Sequence, residues 1–246
     1  MKLTGNNVLI TGGSSGIGLE LAKRLTENQN KVIICGRSEQ KLIVAKSKIP
    51  GLITYPCDLS DKKQTGDFVE WLKSNHNDLN VLINNAAIVN RTNFMEDPKA
   101  IEKSEQEFKT NVLAPIRLIK LLQPLISTNK NAAIINVTTG LVYIPRAIYP
   151  FYNATKAALH SFTQVLRFQL AGKVPEVIEV MFPAVDTPWH QGKPPKIAIP
   201  VDKAVNEMLK ELAKGKTVIR IGGVKKLYVL SRLIPGFAIK KINSLE

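Results

Sequence analysis

The sequence predicts an α/β fold: one doubly wound domain on a seven-stranded, mostly parallel sheet. Three observations carry this reading. Seven short β-rich runs, at 8–10, 31–35, 53–57, 81–83, 133–137, 177–182 and 217–221, recur through the 246 residues. Helical patterns at 16–28, 39–48, 62–74, 102–128 and 153–171 alternate with them. The runs are apolar almost throughout, as strands covered on both faces must be. No internal repeat and no low-complexity linker divides the chain, so a single domain over 1–246 is expected.

The first run passes directly into a glycine cluster, Val8-Leu9-Ile10-Thr11-Gly12-Gly13-Ser14-Ser15-Gly16-Ile17-Gly18. This reads as strand, tight loop and helix. Glycines in such a junction remove the side chains that keep a phosphate from the backbone. The helix beginning near Ser15 turns its unpaired N–H groups and positive dipole end toward that phosphate. Dinucleotide binding is one reading, and a turn built only for packing is the other. The spacing, T-G-x-x-x-G-x-G, departs from the usual dinucleotide fingerprint and resembles the signature of the short-chain dehydrogenase/reductase family.

Composition bounds the remaining classes. The chain carries 34 Lys and Arg against 20 Asp and Glu, a net charge of +14. From Lys193 onward twelve basic residues face four acidic ones, so +8 of that charge sits in the last 54 residues. No zinc spacing, recognition-helix pattern or aromatic RNA-binding strand accompanies it, so nucleic acid is not an expected partner. An acidic ligand or an anionic membrane surface fits the distribution as well. The first ten residues have neither a basic nor an apolar leader region, and no apolar run approaches the roughly 20 residues that span a bilayer, so a cytoplasmic location is expected. Cys35 and Cys57 are read as buried thiols at strand ends. No metal site is expected.

The second strand ends Ile34-Cys35-Gly36-Arg37-Ser38. An NAD enzyme places a carboxylate here for the ribose 2′-hydroxyl, whereas this chain has Gly36 followed by a guanidinium. A 2′-phosphate meets no repulsion and Arg37 can pair with it, so NADP(H) is expected as cofactor. A solvated turn arginine is the alternative. After the third strand, Asp58 either accepts from an adenine amino group or caps the next helix. The resemblance favours the adenine contact, with Leu59 supplying backbone. The fourth strand runs into Asn84-Asn85-Ala86-Ala87, similar to the family's N-N-A-G with alanine for glycine. The small residues leave room for cofactor, while the asparagines read as ties between strands.

Tyr152-Asn153-Ala154-Thr155-Lys156 places a phenol and an ammonium four residues apart, on one helix face. Carbonyl reduction needs a proton for the developing alkoxide, and a free tyrosine near pKa 10 is a reluctant acid and a worse base. A lysine beside it is expected to stabilise the phenolate and to hold the nicotinamide ribose. The other reading is a solvated surface pair. Thirteen residues upstream, where the family has its catalytic serine, stands Thr139, with Thr138 as fallback. Its hydroxyl can still donate, although its methyl group narrows the site. Asn111 matches the asparagine of the family's catalytic tetrad. Pro115, four residues on, has no N–H for the Asn111 carbonyl, which is thereby left for a water or marks a simple kink. Pro183-Ala184-Val185-Asp186-Thr187 resembles the family's P-G-x-V-x-T, and implies that Pro183, Val185 and Thr187 hold the carboxamide.

The resemblance covers 2–187, and the V-T-T-G-L-V and Y-N-A-T-K-A-A-L-H-S-F-T runs look most like DltE-type bacterial oxidoreductases. It implies a Rossmann-like NADP(H)-dependent oxidoreductase interconverting a small-molecule carbonyl and an alcohol. It also implies Gly12, Ser14, Ser15, Gly16, Ile17, Gly18, Arg37, Asp58, Leu59, Asn84 and Ala86 at the cofactor. The catalytic set is Asn111, Thr139, Tyr152 and Lys156. A catalytically weak dinucleotide-binding regulator is the alternative. The chain divides into a core at 1–187, a lid and last strand at 188–222, and a basic apolar tail at 223–246. Apolar faces at 102–128 and 153–171 suggest a homodimer or homotetramer. The tail reads as a helix docked at a subunit contact, or as an element resting on anionic membrane or covering the site.

Overall fold

The computed structural model describes residues 2–129 and 131–244. Met1, Lys130 and the last two residues of the expected tail, Leu245 and Glu246, lie outside the described residues. Strand β1 (Asn7–Thr11) and helix α1 (Gly16–Glu27) are followed by β2 (Lys31–Gly36), α2 (Glu39–Lys48), β3 (Ile53–Pro56), α3 (Lys62–Asn75) and β4 (Val81–Asn84). Then come α4 (Ala100–Phe108), α5 (Ala114–Ile126), β5 (Ala133–Thr139), α6 (Pro150–Gln169) and β6 (Glu176–Phe182). The chain continues through β7 (Val185–Asp186), β8 (Ile199–Pro200), α7 (Val201–Ala213), β9 (Val218–Arg220), α8 (Val224–Leu233) and α9 (Pro235–Asn243).

The seven-stranded sheet has the order β3-β2-β1-β4-β5-β6-β9, and its pairings are all parallel rather than mostly so. β7 and β8 form a separate two-stranded pair, joining Val185 to Ile199. The apolar strands are buried on both faces because alternate residues serve different helix layers. Val8 and Ile10 pack with Leu21, Leu25, Leu42 and Met208, from α1, α2 and α7. Leu9 and Leu82 pack with Phe68, Leu72, Leu118 and Leu122, from α3 and α5. At the amino ends of the strands, an amide cluster closes the sheet: Asn6 Nδ2 donates to Asn30 Oδ1 at 2.9 Å, and Asn80 Nδ2 donates to Asn6 Oδ1 at 3.0 Å.

Three expectations are corrected. The single helix at 102–128 is α4 and α5 joined by a π turn over Lys109–Leu113, because Pro115 cannot donate to the carbonyl four residues back and the backbone takes up the wider turn. The segment at 188–222, assigned to lid and strand, contains α7, whose Ala204, Val205, Met208 and Leu212 form a helical apolar face buried against the core. The tail is two helices, because Pro235 begins a new one rather than only interrupting. Two end shifts are smaller: α6 starts at Pro150, a residue preorganised for the first turn, and β9 keeps three residues of the expected five.

The β1–α1 junction tolerates no β-carbon at Gly18, where one would stand 2.4 Å from the Gly12 carbonyl oxygen and 2.6 Å from Asn85 Nδ2. Gly18→Ala therefore forces backbone apart and is expected to destabilise by about 1–3 kcal/mol, lowering Tm by roughly 2–10 °C in thermal unfolding followed by circular dichroism. Gly66→Ala in α3, where a β-carbon meets nothing within 4 Å, is the control and leaves Tm level or raised.

Candidate active site

The carboxyl ends of the central strands open on a cleft of about 680 Å³. Thr11 fixes its floor: the hydroxyl accepts the backbone N–H groups of Asn85 and Ala86, each at 3.0 Å. Asn85 Nδ2 returns hydrogen bonds to the carbonyls of Thr11 (2.9 Å) and Gly12 (3.2 Å). The loops after β1 and β4 are thereby locked together, with Gly12 pressed so near Ala86 that a β-carbon would lie 2.9 Å from its Cα.

Gly12, Ser14, Ser15, Gly16, Ile17 and Gly18 all line the cleft. Ser15 is the extended residue before α1 and its side chain makes no cap, so the helix presents its first N–H groups without a side-chain acceptor. Thr187 stands across from this turn, its Cβ 3.3 Å from where a β-carbon on Gly16 would sit. Pro183, Val185, Asp58, Leu59 and Ala86 line the same cleft. A cradle that β-carbons would fill, beside an uncapped helix N-terminus, suits the pyrophosphate of a dinucleotide.

At the end of β2, exposed Arg37 lines the cleft together with Lys41, a second cation that sequence reasoning missed. Ser38 caps α2 by accepting from the Lys41 N–H, which brings the lysine back to the mouth. Asp58 does not cap α3: that part is taken by Asp61, which accepts from the Gln64 N–H at 3.0 Å. Asp58 Oδ1 accepts instead from the N–H and hydroxyl of Ser60.

Two expected site residues stand behind the cleft rather than in it. Asn84, expected at the cofactor, is buried in the sheet and donates to Asn136 Oδ1 at 2.9 Å, because the parallel register places these two amides side by side. Asn111 is fully buried in the π turn. Its amide clasps the backbone of Ile88, accepting from the N–H at 2.9 Å and donating to the carbonyl at 2.8 Å. It thus shapes the loop after β4.

Tyr152, Lys156 and Thr139 do meet in the cleft. Lys156 is 2% exposed, and its ammonium donates to the Val137 carbonyl at 2.8 Å. Burial pushes its pKa down to about 8, with Glu179 acting weakly the other way. Tyr152 is pushed above the ordinary phenol value by burial first and by the charge of Glu107 second, while a hydrogen bond with the Thr139 side chain pulls it back. Desolvation is the largest influence on both groups. Thr138, the fallback, also lines the cleft, and its hydroxyl donates to Glu179 Oε1 at 2.7 Å.

Two buried carboxylates were missed. Glu107, one turn before Asn111, accepts from the N–H and side-chain amide of Asn90 through Oε1, while Oε2 is buried with no hydrogen-bond partner among the described residues. Burial raises its pKa. Glu179 lies in the middle of β6, with His160 Nδ1 at 2.8 Å. A lone acid inside an apolar strand was a legible signal for Glu179, whereas nothing local marked Glu107. Cys35 and Cys57 are buried free thiols, Cys57 pushed up to about 12 by burial, and neither is a nucleophile.

Beyond the tyrosine, Tyr149, Trp189 and His190 form a chain of ring contacts, at 5.9 Å between the first two and 4.5 Å between the last two. Trp189 and His190 stand at the start of the segment that returns at β8. Leu141, Ile197, Val224 and Leu227 complete an apolar end to the cleft.

Comparisons with known proteins identify the family. The family model for short chain dehydrogenases matches residues 6–198. An uncharacterized oxidoreductase of Bacillus subtilis, DltE, is 48% identical over 191 residues, spanning 78% of this chain and 76% of that protein. A fatty acyl-CoA reductase of Mycobacterium tuberculosis is 30% identical over 76% of this chain and 66% of its own length. The solved structure of a short chain dehydrogenase from Burkholderia cenocepacia in complex with NADP shares the fold, with a TM-score of 0.85, 24% identity and coverage of 98% of this chain and 99% of that one. Another, from Burkholderia phymatum in complex with NAD, has a TM-score of 0.81 at 16% identity, covering 100% of this chain and 98% of that one. The chain belongs to the short chain dehydrogenase family of oxidoreductases and is of the DltE type.

Proposed function

We propose that the protein is an NADP(H)-dependent oxidoreductase that interconverts a carbonyl and an alcohol, with Tyr152 as its acid–base residue. The observation that carries this is the meeting of Tyr152, Thr139 and Lys156 in the same cleft as the glycine cradle. NADP(H), held by the cradle, Arg37, Pro183, Val185 and Thr187, supplies or accepts the hydride when bound. Tyr152 gives a proton from its phenol oxygen to the alkoxide during reduction and takes one during oxidation. Thr139 shares a hydrogen bond with it and orients the substrate oxygen. Lys156 fixes the tyrosine's surroundings through its bond to β5, and Asn111 holds the loop that faces them.

Preference for the 2′-phosphate is supported by Arg37 and Lys41 together, with no carboxylate at Gly36. The apolar end of the cleft suits a carbonyl compound with an apolar body. Exposed Phe108 and Leu113 beside the π turn, and Val165 and Phe168 on α6, support pairing with further copies, as a homodimer or homotetramer. Free buried cysteines accord with the reducing cytoplasm.

The reading is tested by NADPH oxidation against a panel of ketones and aldehydes. Tyr152→Phe is expected to lower turnover by about 10²–10⁴-fold while leaving NADPH binding in place. Binding without turnover of any carbonyl by the unaltered protein would turn the reading toward a regulator. Arg37→Asp should weaken NADPH by about 1.5–3 kcal/mol, roughly 10- to 150-fold in Kd, and leave NADH level or tighter in fluorescence titration. Glu107→Gln removes a negative charge that opposes the phenolate. The pH profile of alcohol oxidation should therefore shift to lower pH, and that of carbonyl reduction should fall away at lower pH.

A further inference from the structure

The helical hairpin α8–α9 has two faces of different character. Inward, Val224, Leu227 and Ile242 line the cleft. Both ends are fastened to the body of the protein. Near the start, Glu207 accepts from the Gly222 N–H at 3.0 Å and pairs with Lys225 at 2.9 Å. Near the end, Asn243 accepts from the Ala147 N–H at 2.6 Å and donates to the Pro145 carbonyl at 3.2 Å. The bend between the helices projects. There Leu233 is 73%, Ile234 46% and Phe237 58% exposed, with Pro235 and Gly236 between them.

The charge around this apolar tip has one sign. Residues 224–244 contain five Lys or Arg and no Asp or Glu. Lys225 is spent on Glu207, whereas Lys226, Arg232, Lys240 and Lys241 have no carboxylate partner among the described residues. An apolar wedge ringed by cations matches the boundary between lipid headgroups and acyl chains. A second copy of the chain fits less well, since a twofold contact through the tip sets these cations against themselves.

We propose that the α8–α9 hairpin docks on an anionic lipid bilayer, with Leu233, Ile234 and Phe237 entering below the headgroups and the four cations against the lipid phosphates. The hairpin's other face walls the cleft, so docking brings the cleft mouth to the lipid surface. The surface stands whether or not the catalytic reading holds, and its test reads binding rather than turnover.

The full chain is mixed with sedimenting vesicles of phosphatidylcholine alone, or of phosphatidylcholine and phosphatidylglycerol in equal parts. Retention is expected on the anionic vesicles at low salt, with release at about 1 M salt, where the screening length falls to about 3 Å. The paired variants Leu233→Ser with Phe237→Ser, and Lys240→Glu with Lys241→Glu, should each bind at least about tenfold more weakly. All four positions are exposed, and an unchanged melting curve confirms that each variant is folded. No retention on anionic vesicles, equal retention on both vesicle types, or retention that neither variant weakens would overturn the proposal. So would a fall in oligomer size by light scattering in the Leu233→Ser and Phe237→Ser variant, which would assign the tip to contacts between copies.

Discussion

A single ammonium buried at the carboxyl edge of a parallel sheet sets the terms for the whole active end of this molecule. Lys156 exchanges its water for one carbonyl, that of Val137, and for the distant field of Glu179. Taking a cation out of water is tolerated only where the geometry is fixed and partners are close. The fixing comes from α6, whose Thr163 donates to the Leu159 carbonyl and accepts from Asn136, tying the helix to the strand beneath it. Asn136 in turn holds Asn84. A ladder of amides therefore runs from the helix that carries Tyr152 and Lys156, through β5, to the strand whose loop forms the cleft floor.

Most of the architecture was legible because parallel strands buried on both faces leave an apolar run that few other elements produce. Helices α1, α2, α3 and α6 and all seven strands of the main sheet lay close to where periodicity placed them. The failures have physical causes. At the π turn, helical periodicity continues through Pro115 and gives no hint of the extra residue in the turn. Helix α7 follows a proline-rich segment, and that neighbourhood overshadowed an apolar spacing at 204, 205, 208 and 212 that was present in the sequence. In the tail, proline was read as a breaker although it is equally a favoured first residue of a new helix.

The site was legible where function rests on local spacing: a phenol and an ammonium on one helix face, and glycines at a strand–helix turn. It was opaque where distant segments converge. Lys41 comes to the cleft only through the turn made by Ser38, and Glu107 acts on Tyr152 across helices far apart in sequence. Asn84 was open to two readings, a tie between strands and a place at the cofactor, and the register opposite Asn136 makes the tie. Placing lysine beside tyrosine on a helix says that the two are near, whereas how each titrates depends also on desolvation by the rest of the fold.

The segment between β7 and β8 is anchored at both ends by neighbouring residues. It leaves the core after a short helical turn at Pro188–His190 and returns at β8, where Ile199 pairs with Val185 only a few residues from its departure. A strap with both feet planted on neighbouring posts has already lost most of the freedom of a loose arm. The segment between the feet therefore keeps its place beside the cleft at little further entropic cost, and the edge it offers there, with Trp189 and Ile197 among the lining residues, is set by where the two feet stand.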